Sequence, residues 1–200
     1  MKTTKWICIA ALLLTWSITA LAQTGIKEHS GDCAATLDAL REKHALQIFL
    51  KSVEQQIVSA ADAMPADKYG YAPTEGEFKS VRTFGQQVKH LAATNHILAA
   101  AALGEEPPAD AGDEAGPESV RTKAEILEYL NGSFAHLGKA IDAIGDQSVP
   151  VKGSPISPLP ANAATRLAFT VESLIHAFDH YGQMVEYLRA NGVVPPASRP

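Results

Sequence analysis

The chain has 200 residues, with 17 Lys and Arg against 22 Asp and Glu and a formal net charge of −5. Its 46% hydrophobic, 6% aromatic and 20% charged residues give enough apolar material for one packed domain plus an extension. That balance excludes a wholly disordered chain, a miniprotein built on its two cysteines and an electrostatic nucleic-acid binder, which needs clustered positive charge.

The N-terminus presents Lys2 and Lys5, an apolar run from Trp6 to Leu14 that continues to Ile18, and Ala20-Leu21-Ala22 before Gln23. A basic head, a short apolar run and an A-x-A exit read as a secretory signal peptide over 1–22. A retained membrane anchor is the competing reading, for which the apolar run is short. Cleavage after residue 22 removes both lysines and no acid, taking the charge from −5 to −7. It also removes Cys8 and leaves Cys33, in a leader over 23–33, as a lone bystander thiol with no intramolecular disulfide open to it. No later stretch is apolar enough to cross a bilayer. The expectation is a secreted or periplasmic protein with no stable membrane span after processing.

From residue 34 onward the apolar residues recur at helical spacing in four segments. The first, from about Ala34 to Met64, places Leu46, Phe49, Leu50, Val53, Ile57, Ala60 and Met64 on one stripe and ends at Pro65. The second begins at a capping box, Thr83-Phe84-Gly85-Gln86, and runs through Val88, Leu91 and Leu98 to Leu103 and a Gly104 stop. The third carries Leu127, Leu130, Phe134, Leu137, Ile141 and Ile144 and closes at Gly145. The fourth follows Pro160 through Leu167, Val171, Leu174, Phe178 and Leu188 to Gly192, where Pro195 and Pro196 prevent continuation. Nothing alternates long enough for a sheet, so the predicted fold is all-α, a four-helix bundle over 34–200. Its connections, 65–82, 105–118 and 146–160, exceed the ~2–8 residues usual between bundle helices. The second is acidic (Glu105, Glu106, Asp110, Asp113, Glu114, Glu118) and reads as a solvated loop, with a wall to a pocket or a cation site as the alternatives.

Seven histidines need sorting. His176 and His180 stand four apart on the fourth helix, so both imidazoles lie on one face, a turn apart, within reach of one metal ion. Ser173, Gln183 and Tyr187 extend the same polar line beside an apolar stripe of Leu174, Phe178, Met184 and Leu188. Polar groups inside a bundle need partners, and a metal would be one. A third ligand would come from another helix. His90 is the preferred candidate, on a line with Thr83, Gln87, Thr94 and Ile97, and His44 on the first helix stays open as the alternative. His96 is about 240° round the helix from His90. His29 lies in the leader, and His136 faces away from the stripe of its own helix.

Several chemistries find no motif: H-E-x-x-H zincins, covalent haem, paired E-x-x-H di-iron sites, nucleophile elbows, P-loops and dinucleotide fingerprints are absent. Glu172 stands four residues before His176, where the di-iron motif needs three.

Two stretches carry a family resemblance. Met64-Pro65-Ala66-Asp67-Lys68-Tyr69-Gly70-Tyr71, Pro73 and Val81-Arg82-Thr83-Phe84-Gly85-Gln86-Gln87-Val88-Lys89-His90-Leu91 form the first. His176, His180-Tyr181-Gly182-Gln183-Met184-Val185-Glu186-Tyr187-Leu188-Arg189 and Asn191-Gly192-Val193-Val194-Pro195-Pro196-Ala197-Ser198 form the second. Together they resemble the DinB/YfiT-like superfamily of metal-binding four-helix bundles, over roughly 34–198. The resemblance implies that His90, His176 and His180 hold a divalent metal, usually zinc or nickel. Relatives with known activity include thiol-dependent transferases and isomerases. One departure is Ala177-Phe178, where many relatives carry polar residues; it leaves Asp179 as the nearest acid. Three neutral imidazoles leave a position open for water or substrate. The expected function is therefore an exported divalent-metal protein, either a metal-dependent hydrolase or thiol-dependent transferase acting on a small molecule, or a non-catalytic metal-binding stress or interaction protein. No residue is assigned as general base, and the helical faces would allow a homodimer.

Overall fold

The computed structural model describes residues 40–109, 111, 114–145 and 151–200. The expected signal peptide over 1–22, the leader over 23–33 with His29 and Cys33, and residues 34–39 lie outside these, as do Asp110 and Asp113 of the acidic loop. Four helices follow in order: α1 over 40–63, α2 Phe84–Leu103, α3 Lys123–Asp142 and α4 Arg166–Ala190. Short 3-10 turns at Ala66–Lys68 and Pro196–Ser198 flank the first connection and the C-terminus. No strand occurs among the described residues, and residues 43–200 form one compact unit, a four-helix bundle.

The four helices do not contribute equally. Of the 20 residues of α2, 15 are buried, because it packs against both α3 and α4, leaving only a narrow stripe that carries Gln86, Lys89, His96 and Leu103. Its small residues, the run Ala99–Ala102 among them, let neighbouring helices approach closely. Both ends of α2 follow the expected chemistry. Thr83 and Gln86 exchange side-chain and backbone hydrogen bonds in a capping box, and Gly104 ends the helix in the left-handed conformation at φ 77°. A second capping box, Thr122 with Glu125, starts α3. That helix ends at Asp142, so Ile144 reaches the core from beyond it and Ala143, not Gly145, is its cap.

Two helical faces differ from the expected stripes. On α1, Leu46, Leu50, Val53, Ile57, Ala60 and Met64 are buried, but Phe49 is 58% exposed. Phe49 lies about 60° off the centre of that stripe at ~100° per residue, at an edge no neighbouring element covers. On α4 the reversal is larger. The face carrying Val171, Ile175 and Phe178 points to solvent, with Ile175 66% exposed. The polar line turns inward instead: Ser173, His180 and Tyr187 are buried together with Phe169, Ala177 and Met184.

These burials give a direct test by urea denaturation. Leu137→Ala, at a fully buried position, is expected to lower unfolding free energy by about 2–5 kcal/mol. Phe49→Ala is expected to stay within about 0.5 kcal/mol of the parent chain.

Candidate metal centre

The capping box fixes the first turn of α2, and His90 follows two turns later on the side facing α4. His176 and His180 come from the inward polar line of α4, one turn apart. The ring centroids lie 4.8 Å (His90–His180), 5.2 Å (His90–His176) and 4.3 Å (His176–His180) from one another. All three turn their Nε2 atoms to a common point: His90 Nε2 is 3.1 Å from His180 Nε2, which is 2.9 Å from His176 Nε2. His90 and His180 are buried and His176 is half-buried. The structure thus brings together the three histidines picked out in the sequence. His44, the open alternative, is exposed on α1 and takes no part.

The outer ring nitrogens determine what the inner ones can do. His90 Nδ1 lies 2.9 Å from the backbone oxygen of Glu114. A carbonyl only accepts, so Nδ1 carries the hydrogen and donates it, leaving Nε2 with a bare lone pair. Glu114 is one of two non-glycine residues with positive φ among the described residues (71°), a sparsely populated conformation held where it serves this contact. Its carboxylate Oε2 stands 3.7 Å from the same Nδ1. The loop around it is pinned to α2, with Lys89 Nζ donating to Pro117 O at 3.0 Å. The acidic connection is therefore a docked support of the site at Glu114 rather than a purely solvated loop.

His180 Nδ1 meets the side-chain amide of buried Gln87, whose Nε2 also donates to Gln183 Oε1 at 2.8 Å. Gln183 Nε2 in turn donates to Asp179 Oδ2 at 2.9 Å. His176 Nδ1 is buried with no hydrogen-bond partner. Three neutral imidazoles cannot satisfy this arrangement alone. With His90 Nε2 bare, the His180 Nε2 hydrogen serves that contact, and His176 is left either with a second hydrogen facing it or with an orphaned Nδ1–H. A divalent cation accepting three lone pairs removes the conflict among the Nε2 atoms; it leaves His180 with Nδ1–H, so the Gln87 amide then turns its oxygen rather than its NH2 to that ring. Two imidazole nitrogens on one tetrahedral ion with bonds of ~2.0–2.1 Å stand about 3.3 Å apart, close to the spacings found here. The residues fit a metal.

Electrostatics agree with that fit. Burial pushes His180 down to about 3 and His176 to about 4, with the neighbouring imidazoles and the Arg82 charge adding to the effect. For His176, Asp179 pulls weakly the other way. Burial also lowers His90, against the opposing pull of its hydrogen bond to Glu114. All three are thus neutral near pH 7, the form that binds a divalent ion.

The remaining candidates sort apart. His96 and His136 pair with each other between α2 and α3, Nδ1 to Nδ1 at 3.1 Å, with Glu105 Oε2 3.7 Å from His136 Nε2. His136 does lie off its helix's apolar stripe, yet it is half-buried. Glu172 accepts from Ser157 Oγ at 2.6 Å, and burial raises its carboxyl. Sequence reasoning left Glu114 within a charge run and Gln87 as one member of a line. Gln87 was findable from its spacing, one turn before His90, whereas a backbone carbonyl carries no sequence signal.

Two outcomes follow. In the metal-free protein the folded imidazoles resist protonation while unfolded ones take protons near 6.5, so stability is full above that value and falls as pH drops from about 6.5 towards 3. Urea midpoints at pH 7.0, 5.5 and 4.5 should fall steeply for the parent chain and less for the double variant His176→Gln/His180→Gln. Competition with a chromophoric chelator should show Gln87→Leu binding zinc about 10–100-fold more weakly, with Gln87→Glu, which can accept from Nδ1–H, restoring affinity.

Residues 50–184 match the family model of the DinB superfamily, a stretch running from within α1 to within α4 that takes in all three imidazoles. No curated protein matches the chain. With its helical bundle and a match over more than half its length, the chain belongs to the DinB superfamily.

Proposed function

We propose that this is an exported protein whose His90, His176 and His180 hold a divalent ion, zinc or nickel, with a position left open for water or a small-molecule substrate. The convergence of three neutral Nε2 donors on one point supports this reading most directly. A donor set made only of imidazoles suits zinc and nickel over calcium or magnesium, which prefer oxygen. Such an ion, when bound, lowers the pKa of a coordinated water or thiol or polarises a carbonyl, the chemistry of a hydrolase or a thiol-dependent transferase. The chain's own residues orient the ligands. Glu114 O holds the His90 hydrogen on Nδ1, Gln87 and Gln183 fix the plane of His180, and Asp179 anchors that amide chain.

A second reading, a non-catalytic metal-binding stress or interaction protein, draws support from the two α4 carboxylates. Glu172 is held by Ser157 and Asp179 by Gln183, so each already has a partner and neither stands as a general base. Under either reading the acidic chain has no nucleic-acid partner and no membrane span after processing, and a homodimer is compatible with the exposed apolar face of α4.

Metal analysis by plasma mass spectrometry of the untagged protein tests the proposal. Near-stoichiometric zinc or nickel is expected in the parent chain and in His44→Ala and is expected to be lost in His180→Ala. A parent chain that neither carries an ion nor takes one up on reconstitution overturns the metal reading. N-terminal sequencing of the exported fraction should begin at Gln23.

A further inference from the structure

Beside the imidazole cluster lies a cleft of about 890 Å³, within the ~300–1,000 Å³ usual for small-molecule sites. It runs between the first connection and the C-terminal half of α4. One wall is apolar and open to solvent: Phe78 is 47% and Val81 37% exposed, both facing into the concavity. The opposite wall is aromatic and held in place. Tyr71 and Tyr187 meet edge to face at 5.9 Å, and Tyr187 Oη donates to Arg82 O at 2.9 Å. Ser80, at the rim between Phe78 and Arg82, has φ 64°, backbone strain of the kind stored at binding sites. The floor is polar: it is formed by Gln87, which contacts His180, and by Gln183, which accepts from Gln87.

The charges at this cleft are uneven. Glu186 lines it but is paired with Arg189 Nη1 at 3.0 Å. Arg82 also lines it, and among the described residues its guanidinium makes no hydrogen bond or ion pair. It is near enough to the three imidazoles that its charge disfavours a proton on each. A planar cation next to an exposed aromatic wall matches a ligand with a carboxylate head and an apolar body, since guanidinium binds carboxylates through two parallel hydrogen bonds.

We propose that this cleft binds an amphipathic organic carboxylate, its head on Arg82 and its aromatic or alkyl body between Phe78, Val81 and Tyr187. The inference takes the Proposed function one step further by naming the ligand class beside the metal. None of the three imidazoles lines the cleft, however, so binding there does not require the ion.

Calorimetric titration of the full chain with 3-phenylpropionate and with its neutral amide tests this. The acid is expected to bind at least tenfold tighter than the amide. Arg82→Gln should bring the two to equality by weakening the acid alone, while Arg82→Lys keeps part of the preference. Phe78→Ala should weaken both ligands several-fold, and stripping the parent chain of metal with EDTA should leave both unchanged. Equal binding of acid and amide, an intact preference in Arg82→Gln, or no binding by the parent chain overturns the proposal. So does loss of acid binding on removal of metal from the parent chain, which would place the carboxylate on the ion rather than the guanidinium. Failure of the metal reading alone leaves the acid preference in place.

Discussion

Three imidazoles buried against one another, with their inner nitrogens at hydrogen-bond distance, set a condition that the surrounding chain has to meet. Each ring can be neutral in two tautomers, and the cluster is stable only when outer partners choose among them. His90 receives its choice from a carbonyl on a loop, and His180 from an amide on the neighbouring helix. His176 receives none. The rotation of α4 and the docking of the acidic connection are consistent with that requirement: both bring polar groups to the rings that need them.

The helix that bears His90 is also the one most deeply embedded in the core, and the two facts belong together. A helix with three-quarters of its residues buried offers a ligand little freedom to drift, so the position of His90 is set by the packing of Val88, Leu91 and Leu98 as much as by its own contacts. The cluster sits towards one side of this frame, next to the cleft formed by the first connection. Cluster and cleft meet at Gln87, which contacts the His180 ring and, with Gln183, lines the cleft.

Much of this was legible in the amino-acid order. Helical period, the Gly104 stop and the Thr83 capping box place α2 and its histidine within a residue or two, because those signals are local. The i, i+4 spacing of His176 and His180 likewise needs only helical geometry. The facing of α4 was not legible in the same way. Val171 and Phe178 look like core residues by composition, and only the presence of α2 opposite the polar line turns them outward. Phe49 fails for a similar reason, since coverage at the edge of a stripe depends on neighbours distant in sequence. Glu114 acts through its backbone, so the side chain that attracts attention in the charge run is not the atom that fixes the His90 tautomer.

The strongly lowered proton affinity of these rings also bears on how the site would compete for its ion. An exposed imidazole site gives up protons as it fills, and acid therefore displaces the cation once the medium drops below about 6.5. Here His176 and His180 keep their lone pairs free down to about pH 4 and 3. Uptake near neutrality would then exchange almost no protons, and affinity would stay nearly flat from neutral into mildly acidic surroundings. Occupancy of such a centre would then track the supply of metal rather than the acidity of the medium.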